Sequence, residues 1–428
     1  MFKSIGGRIK AITNNDYLFS IIAKIAGLFI SIVLGSMTAR FFGPELKGVS
    51  SVIENDVSLY SVFLGLGIYQ AYPFFKKKEP GLFPCYVNNI STMFLGLEVI
   101  AVSVATVMFL QNASTYLAVA IILMPVAVYT KQLNYVVLIE APRRRSMSSM
   151  IISLSEVALM LVFIIFLRPN VGTIVAYVCI GHGVSLVLSF INLRVNPLKI
   201  RFDLSRIWTF AKFGVIPMLV YLCMTVNYKI DIQMLKRMGT VSYADIGIYG
   251  TAVGLASKIW LIPDAVKDIL LSKLVKGGTA HEVARVIRIN LFVCVIATIL
   301  MVVFGRFAIL LLFGEEYESA YTIMIVLFVG ILGMIFYKMV YSYNISMGRR
   351  TINLIFLGGA AVINFVGNLF LIPPMGVWGA ALMSVVSYCV CGISFLVYFR
   401  VESKIPLKEI VMIQKSDVQL VKKFFSKK

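Results

Sequence analysis

Four of the lysines inside the long apolar segments of this 428-residue sequence lie at one depth, where a charged side chain is costly. A charge at the centre of a membrane helix costs about 2.5–3.5 kcal/mol on insertion scales, so ionisable residues inside a membrane are usually functional. Each lysine lies about 10–14 Å along a helix from the end of its segment that joins a basic loop. The four are Lys24, Lys131, Lys258 and Lys338. Because ammonium groups act as point charges for phosphate, this layer predicts an amphipathic anion as cargo.

Small and polar residues accompany two of these lysines at helical spacing. The stripes consist of Lys24, Gly27, Ser31, Gly35 and Thr38, and of Gly247, Gly250, Gly254 and Lys258. A stripe of this kind faces a polar cavity or a close neighbouring helix. Two interpretations are open: the lysines line a polar lumen, or their long side chains reach back to the nearer membrane surface.

Acidic side chains form a second layer near the opposite ends of the segments. The layer contains Glu54 and Asp56 in the second segment and Asp231, beside Lys229, in the seventh. Acidic groups inside a membrane mark ion pathways and proton relays. We therefore expect Glu54, Asp56 and Asp231 to bind a coupling ion, either a proton or sodium. Glu156 lies at the depth of the lysines and partly offsets their charge.

Signatures of enzymatic chemistry are sparse. Neither histidine, His182 or His281, occurs in a metal-binding spacing, and His182 between two glycines is interpreted as a packing residue. The sequence has no glycine-rich phosphate loop. Its six cysteines all lie in apolar segments without the spacing of a zinc site. No catalytic residue, metal or cofactor is therefore expected.

Membrane-spanning helices are the elements that must position these residues. Hydrophobic residues make up 59% of the chain and charged residues 14%, against about half and about a quarter in soluble domains. The mean hydropathy is +0.90. The apolar runs exceed the roughly 9–11 residues of a membrane strand, so we predict an all-α membrane protein of about twelve transmembrane helices. The segments are roughly 17–41, 49–75, 83–111, 116–139, 147–167, 172–193, 210–235, 243–266, 286–313, 321–347, 351–372 and 376–399. The ninth segment, 286–313, is predicted to break near Gly305-Arg306.

Lysine and arginine are unevenly distributed between the two sides of these segments. With the N-terminus in the cytoplasm, 29 of the 40 basic residues fall in inner segments and 5 in outer loops. Cytoplasmic loops carry such an excess, so both termini are predicted to be cytoplasmic, and the basic composition needs no nucleic acid as a partner.

The predicted organisation has two lobes of six helices. It consists of a cytoplasmic N-terminus (1–16), an N-lobe (17–193), a cytoplasmic link (194–209), a C-lobe (210–399) and a basic cytoplasmic tail (400–428). From Pro406 the tail is interpreted either as an amphipathic helix on the membrane surface or as a solvated tail.

Short motifs follow one another in the order and spacing of a known transporter family. They are TARFFGPELKG (38–48), GLG (65–67), NYKID (227–231), IGIY (246–249), LFGEEY (312–317), Asn364, Asn368 and IPPMGVWGAA (372–381). Across about residues 15 to 400 the chain resembles the polysaccharide-repeat flippases of the Wzx type. These belong to the multidrug/oligosaccharidyl-lipid/polysaccharide (MOP) exporter superfamily, which also contains the MATE transporters.

The resemblance implies a fold, a cargo and a location. It implies a MOP/MATE-like pair of six-helix lobes around a central cavity in a bacterial cytoplasmic (inner) membrane. The implied activity is movement of undecaprenyl-pyrophosphate-linked oligosaccharide repeat units from the inner to the outer leaflet by alternating access. This flipping would serve O-antigen (lipopolysaccharide), capsule or exopolysaccharide biosynthesis. Implied partners are the lipid-linked cargo, membrane lipids and polysaccharide polymerase or chain-length proteins.

The resemblance also assigns roles to residues of this sequence. It makes the cargo's pyrophosphate the expected ligand of Lys24, Lys131, Lys258 and Lys338. Asp231 stands where the family's helix-seven motif carries an aspartate.

Three alternatives are weighed against this reading. An ion-coupled multidrug or cation antiporter of the same superfamily would favour an acidic lumen, and four intramembrane lysines argue against one. A lipid II flippase of that superfamily is compatible with the same lysines. A membrane-embedded polysaccharide polymerase would need a sizeable outer loop with clustered acids or arginines, which the sequence lacks.

Overall fold

A computed structural model describes residues 16–191, 193, 203–238, 241–275, 277–415 and 417. Over these residues every regular element is a helix, which confirms the predicted all-α class. Eleven helices in the described ranges are long and apolar enough to cross a membrane. The chain divides into two compact units, and the boundary falls inside a helix, between Leu222 and Cys223.

The first unit is a set of long helices whose hydrophobic core contains a cluster of aromatic rings. Its ring contacts include Tyr72 with Tyr86 and Tyr86 with Phe210, at centroid separations of 4.8 and 5.5 Å. The helices described in this unit are α1 (Asp16–Leu64), α2 (Ile68–Lys78), α3 (Leu82–Leu110), α4 (Thr115–Glu140), α5 (Pro142–Phe166), α6 (Val171–Ile191) and the first part of α7 (Leu204–Met238).

Helix α1 contains the first predicted segment, 17–41, and most of the second, 49–75, joined at a kink. Its 49 residues would extend about 74 Å, far more than the roughly 30 Å hydrocarbon core of a bilayer. Gly43 interrupts it with φ 71° and ψ 173°, and Pro44 follows. Counting α1 as one helix gives eleven candidate spans where the sequence predicts twelve. The two arms on either side of Gly43 account for the difference.

The predicted second segment, 49–75, is not one continuous helix. Helix α1 ends at Leu64 and α2 begins at Ile68, because Leu66 and Gly67 adopt positive φ angles of 46° and 64°. Gly67 lies directly against Gly214 of α7, where a Cβ atom would come within 2.3 Å of the Gly214 carbonyl oxygen. The GLG motif therefore breaks the helix and lets two backbones touch.

The second unit is arranged around one central helix, Ser319–Ser346 (α11). Its neighbours are Tyr243–Ala256 (α8), Leu261–Val275 (α9), Ala280–Leu312 (α10), Arg350–Met375 (α12) and Val377–Ser403 (α13). Helices α11 and α13 approach so closely that a Cβ atom on Gly392 would lie 2.0 Å from the carbonyl oxygen of Gly333. After the end of α7 come α8 (Tyr243–Ala256), a 3-10 turn (Ser257–Trp260), α9 (Leu261–Val275), α10 (Ala280–Leu312), a second 3-10 turn (Glu315–Tyr317), α11 (Ser319–Ser346), α12 (Arg350–Met375), α13 (Val377–Ser403) and α14 (Leu407–Val411).

The predicted break at Gly305-Arg306 is wrong, because α10 runs through both residues without interruption. Gly305 lies beneath Tyr321 and Met324 of α11, so its missing side chain makes room for a neighbouring helix. The Arg306 side chain is exposed, and its Nε donates to Glu318 Oε1 at 2.9 Å. Neither residue needs to disturb the helical backbone.

Large apolar side chains cover the outer faces of both units. Examples are Val99 and Ile100 of α3 and Phe304 and Phe307 of α10, each at least 60% exposed. Helices satisfy their own backbone hydrogen bonds, so such faces can lie in lipid. The chain is a multi-pass membrane protein.

The described part of the tail begins with a short helix, α14 (Leu407–Val411), that packs against α10. Helix α14 has only five residues, and its Ile410 is fully buried. Beyond it, Asp417 accepts hydrogen bonds from Arg288 Nε at 2.9 Å and Nη2 at 3.1 Å. Arg288 also donates to the backbone carbonyl of Glu409. Residues 418–428, which belong to the predicted surface helix, lie outside the described residues.

Candidate functional site

Asp231 lies at the centre of a buried polar network in the second unit. Its side chain is 2% exposed and accepts hydrogen bonds from Tyr249 Oη and, at 3.3 Å, from Ser384 Oγ. The backbone amide of Ile232 donates to the other carboxylate oxygen at 2.8 Å. Helices α7, α8 and α13 therefore meet at one carboxylate.

Three asparagines and a second serine extend this network into α12. Asn364 Nδ2 donates to the backbone carbonyl of Asn227 at 3.2 Å and to Ser387 Oγ at 3.0 Å, and Asn368 Nδ2 donates to Asn364 Oδ1 at 2.6 Å. All four side chains are fully buried. Asn227 Nδ2 and Asn368 Oδ1 have no hydrogen-bond partner, although leaving such atoms unpaired costs about 1–3 kcal/mol each.

The network has the chemistry of a site for a small cation. It gathers carboxylate, amide and hydroxyl oxygens, which are the ligands that hard cations prefer. The described residues contain no cluster of three or more His, Cys, Asp or Glu side chains that could hold a metal ion. With Asp231 as its carboxylate, the network matches the charge of one proton or one monovalent cation.

Lys338 on α11 is buried and forms an ion pair with a more exposed acid in the same unit. Its Nζ lies 2.7 and 2.8 Å from the two carboxylate oxygens of Asp264, at the start of α9. The same Nζ lies 4.9 Å from the centre of the Trp260 ring, within the range of a cation–π contact. Trp260 is held in place because its Nε1 donates to the backbone carbonyl of Ile331 at 3.1 Å.

Lys258 lies on the 3-10 turn that also carries Trp260, and it is half-buried. The stripe of Gly247, Gly250 and Gly254 lies on α8, directly before this turn. The predicted eighth segment therefore changes from an α-helix to a 3-10 helix at Lys258. Lys24 lies in the first arm of α1, and its side chain is outside the described part of the structure.

Lys131 on α4 lines a narrow crevice of the first unit. Its Nζ lies 3.6 Å from the centre of the Tyr221 ring and 5.1 Å from that of Tyr69. The neighbouring Gln132 is 1% exposed, and neither polar atom of its amide has a partner. With Gln70 these side chains line a cavity of about 10 Å³ beside the broken turn at Gly65–Gly67, which is about the size of one water.

Glu54 and Asp56, two residues apart on α1, lie in different surroundings. The Glu54 side chain is 51% exposed, and both its carboxylate oxygens lie 3.3 Å from His182 Nε2 on α6. Asp56 is 2% exposed. His182 is thus a hydrogen-bonding partner of Glu54, a predicted ion-binding residue. The packing role expected from the sequence does not describe it fully.

The structure distributes the predicted residues between the two units. Asp231, Lys258 and Lys338 belong to the second unit, whereas Glu54, Asp56 and Lys131 belong to the first. Sequence reasoning missed two partners, Asp264 and His182. Asp264 had a signal, since it is an acid directly after Pro263 within the predicted eighth segment.

Comparison with known proteins finds similarity in structure. No family model and no curated protein matches the sequence. The lipid II flippase MurJ, in an inward closed conformation, superimposes with a TM-score of 0.71 at 14% identity, over 92% of this chain and 88% of that one. An inward-facing MATE multidrug resistance transporter of the MOP superfamily gives a TM-score of 0.61 at 12% identity, over 91% and 94%.

A third match is a MOP superfamily transporter from Pyrococcus furiosus, described as having a binding pocket of reverse polarity. Its TM-score is 0.54 at 14% identity, over 91% of this chain and 95% of that one. The chain therefore has the fold of the MOP superfamily transporters. It shares this fold with the MurJ flippase and the MATE transporters.

Proposed function

We propose that this protein is a flippase for undecaprenyl-pyrophosphate-linked oligosaccharide repeat units. It moves them from the inner to the outer leaflet of a bacterial cytoplasmic membrane, for O-antigen, capsule or exopolysaccharide assembly. The observation that carries the proposal is the crevice around Lys131, which combines a cation, two tyrosine rings and a buried amide. An ammonium binds phosphate oxygens, and tyrosine and glutamine side chains suit the faces and hydroxyls of sugars.

The charge of the crevice favours this cargo over a cationic drug. Among the described residues, Lys131 is balanced by the faces of Tyr69 and Tyr221, and its crevice is lined by neutral side chains. A bound cation would be repelled there, whereas an anion gains a direct contact. MurJ, a lipid II flippase, supports the idea that this fold moves lipid-linked cargo, so lipid II itself is the second candidate cargo.

The Asp231 network is proposed as the site through which an ion gradient drives the cycle. Its unpartnered Asn368 Oδ1, a free acceptor, and its single carboxylate suit one proton or one sodium ion. Glu54 with His182 and the buried Asp56 are further candidates for ion binding in the first unit.

Reconstituted transport tests the proposed function directly. Purified protein in proteoliposomes should move an undecaprenyl-pyrophosphate-linked oligosaccharide between leaflets faster than protein-free liposomes, measured by accessibility of the sugar to an impermeant glycosidase. Lipid II and a cationic dye serve as competing cargoes. Transport of the dye with no movement of either lipid would overturn the proposal in favour of an antiporter.

Lys131→Ala should weaken cargo binding about tenfold to a hundredfold, because a charge-assisted hydrogen bond contributes about 1.5–3 kcal/mol. Lys131→Arg should retain part of the activity, since it keeps the charge. Lys212→Ala is the matched control: its ammonium also lies over an aromatic ring, Trp208, at 5.3 Å, but it is exposed. Equal flipping rates for Lys131→Ala and Lys212→Ala would remove Lys131 from the cargo site.

The predicted orientation is tested with single cysteines in a cysteine-free background. Cysteines at Lys77 and Arg144 should be shielded from an impermeant thiol reagent added outside intact cells. Both lie at basic helix ends that are predicted to face the cytoplasm, Lys77 at the end of α2 and Arg144 at the start of α5. A cysteine at Glu316, in the one acidic connection, should react. Labelling of the Arg144 position from outside would reverse the topology.

A further inference from the structure

The ion pair between Lys338 and Asp264 is buried on one side and exposed on the other. The Lys338 side chain is 8% exposed, whereas the Asp264 side chain is 41% exposed. A molecule approaching this site therefore meets the carboxylate first and the ammonium behind it. The two hydrogen bonds of the pair both come from Lys338 Nζ, one to each oxygen of the same carboxyl group.

A second lysine lies beside the same carboxylate. Lys267 Nζ lies 4.0 Å from Asp264 Oδ1, one helical turn further along α9. Two lysines therefore share Asp264 as an anion, and the Trp260 ring lies beside the more buried of them, Lys338.

The geometry of this pair suits replacement by another anion. A buried ammonium needs an anion at hydrogen-bond distance, because an uncompensated buried charge is strongly destabilising. Two phosphate oxygens can take the places of the two carboxylate oxygens, and phosphate groups accept the same charge-assisted hydrogen bonds. Since Asp264 reaches Lys338 from the exposed side, its carboxylate can leave without opening the core behind Lys338.

We propose that Asp264 is a built-in substitute for the diphosphate of the cargo. This inference rests on the proposed function. Asp264 neutralises Lys338 while no cargo is bound, the diphosphate displaces it when cargo binds, and the return of Asp264 to Lys338 promotes release. Asp264 thereby limits the affinity for cargo, and the exchange of the two anions keeps the buried lysine paired at every stage of the cycle.

Removing the charge of Asp264 should therefore strengthen cargo binding and slow turnover. Asp264→Asn keeps the volume of the side chain but no longer competes for Lys338, so the dissociation constant for a diphosphate lipid should fall about tenfold or more. Adding Lys338→Met should abolish that gain. Glu318→Gln is the matched control, since it also removes one negative charge and one ion pair, with Arg306 on an exposed surface.

The experiment measures binding of geranylgeranyl diphosphate to full-length protein in nanodiscs. Geranylgeranyl monophosphate and inorganic pyrophosphate are the comparison ligands, so that the contributions of the second phosphate and of the lipid are separated. The expected order of affinity is Asp264→Asn above wild type, with Glu318→Gln equal to wild type. Flipping in proteoliposomes should fall for Asp264→Asn in spite of its tighter binding. Asp264→Thr provides a second neutral variant if Asp264→Asn does not fold.

The outcomes distinguish this inference from the proposed function. If wild type binds the diphosphate lipid and Asp264→Asn binds it equally well, the exchange is wrong and Asp264 only compensates Lys338, while the flippase assignment stands. If neither wild type nor any variant binds the diphosphate lipid, both the exchange and the proposed cargo are wrong. A gain that persists in the Asp264→Asn/Lys338→Met double variant also contradicts the exchange, since no lysine has then been released.

Discussion

Asp231→Asn is expected to make transport insensitive to the ion gradient and to lower gradient-driven flipping about tenfold to a hundredfold. The carboxylate is the charged group of a buried network that otherwise consists of neutral amides and hydroxyls. Contacts to a charged group contribute about 1.5–3 kcal/mol, and every 1.4 kcal/mol corresponds to a factor of about ten in affinity. Without that charge the network loses most of its attraction for a cation.

The substitution should leave the fold intact, which makes the transport result interpretable. Asparagine has the shape of aspartate, and its carbonyl oxygen can still accept from Tyr249 or Ser384. Asp245→Asn is the control, because Asp245 is an exposed acid at the start of α8, the helix that carries Tyr249. Flipping is measured in proteoliposomes with and without imposed proton and sodium gradients. If Asp231→Asn responds to a gradient as Asp245→Asn does, Asp231 has no coupling role.

Asp417→Ala is expected to destabilise the protein by about 3–5 kcal/mol, because it leaves the buried guanidinium of Arg288 without its carboxylate. Arg288 and Asp417 are 5% and 2% exposed, and two hydrogen bonds join them. Glu402→Ala is the control: Glu402 forms an ion pair with Arg349 at 2.6 Å, but both side chains are at least one third exposed. An exposed pair contributes only about 0–1 kcal/mol. Thermal unfolding in detergent compares the two variants. Equal midpoint temperatures would contradict the stabilising role of the buried Arg288–Asp417 pair.

The pair of Arg288 and Asp417 also predicts how the stability of the protein depends on pH. Burial alone would raise the pKa of the Asp417 carboxyl, but hydrogen bonds from Arg288 and from the Gln414 amide outweigh it, and the pKa lies below its ordinary value. The ionised group therefore adds stability above its unfolded-state pKa of about 3.9. That contribution is lost as pH falls through the lower folded-state pKa. The difference between wild type and Asp417→Asn should accordingly be constant near neutral pH and shrink in this acid range.

The positions of the helices followed from the sequence because apolar runs carry that information locally. The predicted segments 83–111 and 321–347 correspond to Leu82–Leu110 and Ser319–Ser346. The break at Gly65–Gly67 was not predicted, since it depends on contact with Gly214, about 150 residues further along the chain. At Gly305-Arg306, by contrast, a break was predicted and none is present. A helix continues through both residues because α11 covers Gly305 and solvent reaches Arg306.

The candidate site was predictable as a set of residues but not as a set of pairs. Asp231 stood out as an acid within an apolar segment, and Asn364 and Asn368 belonged to the motifs that carry the family resemblance. Their junction with Ser384 and Ser387 depends on the packing of α7, α12 and α13, which periodicity does not specify. Lys338 was recognised as a costly charge, whereas its counter-ion, 74 positions away, was not.

The contact between Gly333 and Gly392 has a mechanical consequence. With no side chain between them at that point, the backbones of α11 and α13 touch, and we expect the two helices to move together. Lys338 lies on one of these helices, and Ser384 and Ser387 lie on the other. The 3-10 turn at Ser257–Trp260, by contrast, interrupts the α-helical structure between α8 and α9. We therefore expect any bending within this unit to concentrate at that turn, while the spacing between Lys338 and the two serines stays constant.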